Sequence, residues 1–198
     1  MNLRPLPRRF YARDPVEVAR DLVGRLLVRE TGRARTIGRI VEVEAYARED
    51  PASHSFKGQT RRNATMFGPP GYAYVYVSRG IHHCMNVTTG EANAVLIRAL
   101  EPVQGAEEMA RRRGVVDERL LCAGPGRLCQ ALGITLADDG HDLTRRGMMW
   151  LAEGRPADAL AATARIGISA AADAPWRFVE EGSRFASRPT QVMAPRRG

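Results

Sequence analysis

Residues 36–46, TIGRIVEVEAY, constrain the chain most, because apolar and polar residues alternate there with a period of two, which fits a strand and no helix. Read as a strand, the segment sets Ile40, Glu42, Glu44 and Tyr46 on one face and Val41, Val43 and Ala45 on the other. The plain expectation is a half-exposed strand, its valines on a core and its two glutamates in water, since antiparallel sheets often leave one face wet. The competing expectation is that a carboxylate is held there for chemistry.

Further segments with β-branched and aromatic residues between Gly-containing turns predict strands at 25–30, 72–78, 81–87 and 94–100, with two more at 147–152 and 161–169. Together they describe an antiparallel, mostly consecutive sheet. A short helix opens the chain, with Asp14 as N-cap, Pro15 at the first helical position and Gly24 closing the apolar series Val18, Leu22 and Val23. Helical patterns follow at 104–113 and 124–132, and an apolar stretch, PWRFVEEG, comes near the end. With 198 residues, 44% of them hydrophobic, one sizeable core is the expectation.

The carboxylate strand runs into 25 residues without periodicity, between Tyr46 and Tyr72, and structureless loops of that length are usually functional or disordered. This loop carries His54, Lys57, Arg61, Arg62 and Asn63, and the next segment, YAYVYV, places Tyr72, Tyr74 and Tyr76 on one strand face. Taken singly, a tyrosine ladder is ordinary core and His54 an ordinary loop residue. In combination, stacking surfaces beside cations are what a nucleobase site requires. The net charge of +8 and a pI near 10.2 suit a polyanionic partner. Of the 30 basic residues 29 are arginine, so chemistry that needs a lysine nucleophile has Lys57 as its one candidate.

Other classes are constrained. Cys84, Cys122 and Cys129 form no CxxC pair and are odd in number, which argues for reduced thiols. His82, His83 and Cys84 are adjacent on a strand and alternate faces, so no metal site is expected of them. No run of about 18 apolar residues and no secretory h-region are visible, so no membrane span is expected and the location is expected to be cytoplasmic. GPGRLCQAL can set a helix N-terminus, with Arg127 in its first turn, against a phosphate.

In order, RIVEVEAY, ASHSFKGQTRRNATMF, PPGYAYVYVSRGIHHCMNV, VLIRALEP and GPGRLCQAL make the chain resemble the alkyladenine type of DNA-3-methyladenine glycosylase, over roughly residues 10 to 185. The resemblance implies an α+β (mixed α/β) fold, a single domain over 1–198 with a curved antiparallel β-sheet, a protruding β-hairpin and surrounding helices. It implies excision of alkylated or deaminated purines from damaged double-stranded DNA by base flipping, without metal or organic cofactor. Glu44 then resembles the carboxylate that activates the attacking water, and Arg98 the arginine that orders it. Tyr46, His54 and Tyr76 resemble the walls of the base pocket, Asn86 the residue that crowds a purine 2-amino group, and Ile168 part of the pocket floor. Arg127 resembles a DNA-backbone contact, and Lys57, Arg61 and Arg62 are expected to face DNA.

One position departs from the family pattern: the hairpin tip carries Arg79 where a wedging tyrosine is common, with Ile81 and His82 as neighbouring candidates for that part. Glu42 is left without a clear catalytic role, as a residue that is either structural or supports the catalytic groups from behind. A monomer is expected, and residues 187–198 are expected to form a flexible tail. Two other classes remain at this level, a basic nucleic-acid-binding protein without activity and a metal-dependent nuclease using Glu42, Glu44 and His54.

Overall fold

The computed structural model describes residues 3–32 and 34–188. In chain order the elements are α1 (Arg8–Tyr11), α2 (Pro15–Leu22), β1 (Leu26–Thr31), β2 (Ala34–Tyr46), β3 (Ala73–Ser78), β4 (His82–Gly90), β5 (Asn93–Gln104), α3 (Ala106–Arg113), α4 (Glu118–Leu121), α5 (Pro125–Leu132), β6 (Met149–Ala152), β7 (Leu160–Thr163) and β8 (Arg177–Glu180). Asp14 caps α2 as its sequence demands, accepting from the Val16 and Glu17 N–H groups at 2.8 and 3.3 Å, and the helix buries Val18, Ala19 and Leu22. No helix among the described residues is long and apolar enough to cross a membrane.

All the strands join one antiparallel sheet in the order β3-β4-β5-β2-β1-β6, with β8 beside β2 and β7 beside β8. β2 is its spine. One edge pairs with β5 along most of its length, while the other pairs first with β1 and then, at Glu42–Glu44, with β8. Helices α2, α3 and α5 lay Leu22, Met109 and Leu128 on the same core that receives Val43, Ile97 and Leu100 from the sheet. The sheet therefore curls around this core, giving the α+β fold with its β3–β4 hairpin.

Two expectations are corrected on β2. Its glutamates do not lie in water, for Glu42 and Glu44 are both fully buried. The even alternation also fails at Ile40. Ile40 lies opposite Leu100, Glu42 opposite Ala99, and Val43 opposite Ile97, so Val41 is an extra residue in β2 and Arg98 an extra residue in β5. These paired bulges move Ile40 onto the main core beside Val43 and Ala45, while Val41 packs on the other side with Ala99 and Phe185. They also aim Arg98 at the two carboxylates.

The strand expected over 161–169 is confined to Leu160–Thr163, because the chain then turns through Gly167, at φ +76°, to hang a loop over the end of β2. α1 and α4 are too short for a periodic signal. Most of the expected tail, from residue 189, lies outside the described residues, whereas Ser187 is hydrogen-bonded to Glu42.

Next to the β2 bulge, the Gly24 N–H donates to the Ile40 carbonyl at 2.8 Å and Ile40 N–H returns a bond to Arg25. Gly24 has φ +92°, and a Cβ there would meet the Arg155 carbonyl oxygen at 2.2 Å. Gly182, at φ +74°, faces open space. Gly24→Ala is therefore expected to cost at least ~2 kcal/mol, against ~1 for Gly182→Ala, which carries backbone strain alone. Urea unfolding of the two variants checks the order, and equal losses would contradict it.

Candidate active site

Glu44 lies at the end of β2, under a cavity of about 1230 Å³ whose lining includes Tyr46, Arg98 and Ile166. Its Oε2 accepts from the Tyr46 hydroxyl at 2.9 Å and from Arg98 Nη1 at 3.1 Å, and its Oε1 accepts from the Ile166 N–H at 2.7 Å. A carboxylate offers about four acceptor positions, so one on Oε1 stays open. Burial, followed by the Glu44 charge, pushes the Tyr46 phenol well above its ordinary range, which keeps it a donor.

Glu42, two residues earlier, accepts four hydrogen bonds. Its Oε1 accepts from Arg98 Nε at 3.0 Å, Arg177 Nε at 2.7 Å and the Ser187 hydroxyl at 2.8 Å, and its Oε2 accepts from the Ser187 N–H at 2.6 Å. Burial works to raise its pKa, but Arg177, the Ser187 N–H and Arg98 outweigh it and hold Glu42 below the usual carboxylate range. Burial likewise works against charge on Arg98, yet Glu44 and Glu42 prevail and raise its pKa.

Aromatic walls rise beside this floor. Tyr74 and Tyr76 stack with ring centroids 5.6 Å apart, and His54 meets Tyr76 edge-on at 4.5 Å while its Nδ1 lies 2.9 Å from the Tyr74 hydroxyl. Partial enclosure lowers the His54 pKa, which favours the neutral ring. Asn86, buried, donates to the Tyr74 carbonyl at 3.2 Å. Asn63 is not a free contact for phosphate: it is buried and donates to the His54 and Gly58 carbonyls at 2.8 and 3.0 Å, cross-bracing the long loop.

One cavity thus gathers Tyr46, His54, Tyr76, Asn86, Arg98 and Ile168, with Lys57, Arg61, Arg62 and Arg79 around it. Ile81, His82 and Arg127 stand outside that lining. Ile81 is 73% exposed at the hairpin tip, His82 lies against Gly126 at the start of α5, and Arg127 is exposed there. Tyr72, expected to extend the tyrosine face, sits instead under the Arg8 guanidinium.

Sequence reasoning missed Ile166, Arg165, Arg177 and Ser187. Arg165 is ion-paired with Asp50, both side chains fully buried, and its guanidinium lies 4.7 Å from the Tyr46 ring and 5.1 Å from Trp176. It also donates to the Ala45 carbonyl at 3.0 Å, fixing the loop that delivers the Ile166 N–H. Among so many arginines nothing local distinguishes these two. The one available signal was RIGIS, which contains Ile168.

A family model for methylpurine-DNA glycosylase matches residues 9–184. A protein from Rhodopseudomonas palustris strain BisB18, provisionally named a 3-methyladenine DNA glycosylase, is 56% identical over 93% of this chain and 91% of its own. Proteins with the same provisional name from Carboxydothermus hydrogenoformans and Methanoculleus marisnigri are 48% and 50% identical, each over 92% of this chain and 98% of their own.

Removing one partner of a fully buried ion pair leaves the other charge without compensation. Arg165→Met is expected to destabilise the fold by about 3–5 kcal/mol, and the double change Arg165→Met/Asp50→Asn to regain part of that loss. Guanidinium denaturation of the three proteins is the check; a single variant no less stable than the double would contradict it.

Proposed function

The chain belongs to the methylpurine-DNA glycosylase family, and from that premise we propose that it hydrolyses the N-glycosidic bond of 3-methyladenine, and of related alkylated or deaminated purines, once the nucleotide has been turned out of duplex DNA. Supporting this reading above all is one observation: a buried carboxylate, Glu44, with one acceptor position open, lies under a cavity walled by aromatic rings and flanked by cations. Turning a nucleotide out costs a few kcal/mol, about the least for a lesion already poorly paired, so extrusion is a first filter.

Inside the cavity, the faces of Tyr46 and Tyr76 attract a cationic alkylated purine by roughly 0.5–2 kcal/mol more than a neutral one. Such a base also leaves more readily. Cleavage passes through an oxocarbenium-like state, in which Glu44 both stabilises positive charge and takes the proton of an in-line water. Tyr46, Arg98 and the Ile166 N–H keep the carboxylate in one orientation for that step. Asn86 restricts the space for a 2-amino group. The abasic strand is left intact, since Lys57 is an exposed ammonium among arginines, without the burial that makes a lysine nucleophilic.

A metal-bridging role for the two glutamates fits poorly, because Glu42 already accepts four hydrogen bonds from Arg98, Arg177 and Ser187, two of them from cations. At the hairpin tip, Arg79 and Gly80 have φ 51° and 72°, and the Ile81 N–H closes the turn on the Ser78 carbonyl at 3.0 Å. This turn presents Ile81 to solvent beside Arg79. Apolar wedges between base steps are a common device for kinking DNA, so we assign the wedge to Ile81 and a phosphate contact to Arg79.

Glu44→Gln keeps size and loses the base. It is expected to lower single-turnover release of 3-methyladenine from methylated duplex DNA at least ~100-fold while leaving lesion-DNA binding largely intact; retention of more than about a tenth of the rate sinks the assignment. Ile81→Ala is expected to slow excision more from paired than from mismatched hypoxanthine sites. Arg79→Ala should weaken binding to all duplexes and flatten the salt dependence by about one unit. Exchange of these two phenotypes would return the wedge to Arg79.

A further inference from the structure

Glu42 is explained by no step above, yet it is fully buried and accepts four hydrogen bonds. Four buried charges meet at this point: Glu42 and Glu44 from β2, Arg98 from β5 and Arg177 from β8. They sum to zero. Arg98 divides itself between the carboxylates, Nε to Glu42 and Nη1 to Glu44, whereas Arg177 bonds Glu42 and lies directly across the strand pair from Glu44. From the C-terminal side, Ser187 adds its N–H and hydroxyl to Glu42, and Phe185 seats that segment on Val41 and Ala99.

We propose that Glu42 is a positioning residue whose negative charge sets how basic Glu44 is. This rests on the reading of Glu44 as the general base. Two cations without Glu42 would both favour the anionic form of Glu44, making it a weaker acceptor for the proton of water. With Glu42 present, Arg177 is neutralised and Arg98 is held by its Nε, so that only one edge of its guanidinium is turned to Glu44. The other ionisable or charged groups around Glu44 are Tyr46 on its own strand, Arg165 with Asp50 behind Tyr46, and, lining the cavity, Tyr74 and Tyr76 of β3, Cys84 of β4, His54 of the long loop and Arg188 of the C-terminal segment. None of these bonds Glu42.

The test is the pH dependence of 3-methyladenine release from methylated duplex DNA in single turnovers, between about pH 4.5 and 8. An N-alkylated purine is already cationic, so its departure needs no added proton and the acid limb reports the base. Glu42→Gln removes a like charge from beside Glu44, which eases its ionisation. The limb is expected to move down by about one pH unit and the plateau to fall about tenfold, with lesion binding unchanged.

Glu42→Asp, which keeps the charge and shortens the reach, is expected to leave the limb in place and lower only the plateau. Glu42→Gln/Arg177→Gln, which restores neutrality, is also expected to keep the limb at the wild-type position, and it serves if the single variant fails to fold. A limb that stays put in Glu42→Gln, or moves in the neutral double variant, overturns the proposal. If Glu44→Gln remains active, the reading of Glu44 itself is what fails.

Discussion

Burying two carboxylates and two guanidiniums in one place is the constraint from which the rest of the site follows. Each ion would carry a desolvation penalty of several kcal/mol if left alone, so the cluster exists only because every charge finds charged or hydrogen-bonding partners. That requirement dictates backbone. Arg98 reaches both glutamates because β5 carries an extra residue at its position, and β2 answers with an extra residue at Val41. β8 pairs with Glu42–Glu44 and brings Arg177 to the same spot. The aim of Arg98 at both carboxylates and the assignment of Ile40 and Val41 to opposite cores are thus two results of the same paired bulges.

Much of this could be read from the sequence, and the limits have physical causes. The strands and the capped helix were legible because alternation and capping act over a few residues. Tyr46, His54, Tyr76, Asn86 and Arg98, singled out by their motifs, line one cavity, and Glu44 is hydrogen-bonded to Tyr46 and Arg98 beneath it. The bulges were not legible, since the signal of a period-two strand is blind to one inserted residue until its partner is known. For the same reason Ile40 and Val41 were assigned to the wrong faces. Arg165, Arg177 and Ser187 act across more than a hundred residues of sequence, where periodicity carries no information.

The cavity beside Glu44 combines fixed and exposed parts. Asn63 braces the long loop from within, and Arg165 supports Tyr46 from behind, so the aromatic walls stand ready before any ligand arrives. Cations at Lys57, Arg61, Arg62 and Arg79 line the same cavity. Preorganised walls reduce the ordering cost of binding, and on the function proposed above the exposed cations would gather the phosphates that flank the nucleotide.

The tie between Glu42 and Ser187 has a consequence during synthesis. Its two ends are 145 positions apart, and the strand bearing both glutamates leaves the ribosome long before β8 or Ser187 does. In the nascent chain the carboxylates of β2 have no Arg177 and no Ser187 to meet, so charge and low polarity cannot yet coexist there. The interior of the site must stay open to water until the last strand docks, and catalytic competence comes as one of the final events of folding rather than growing with chain length.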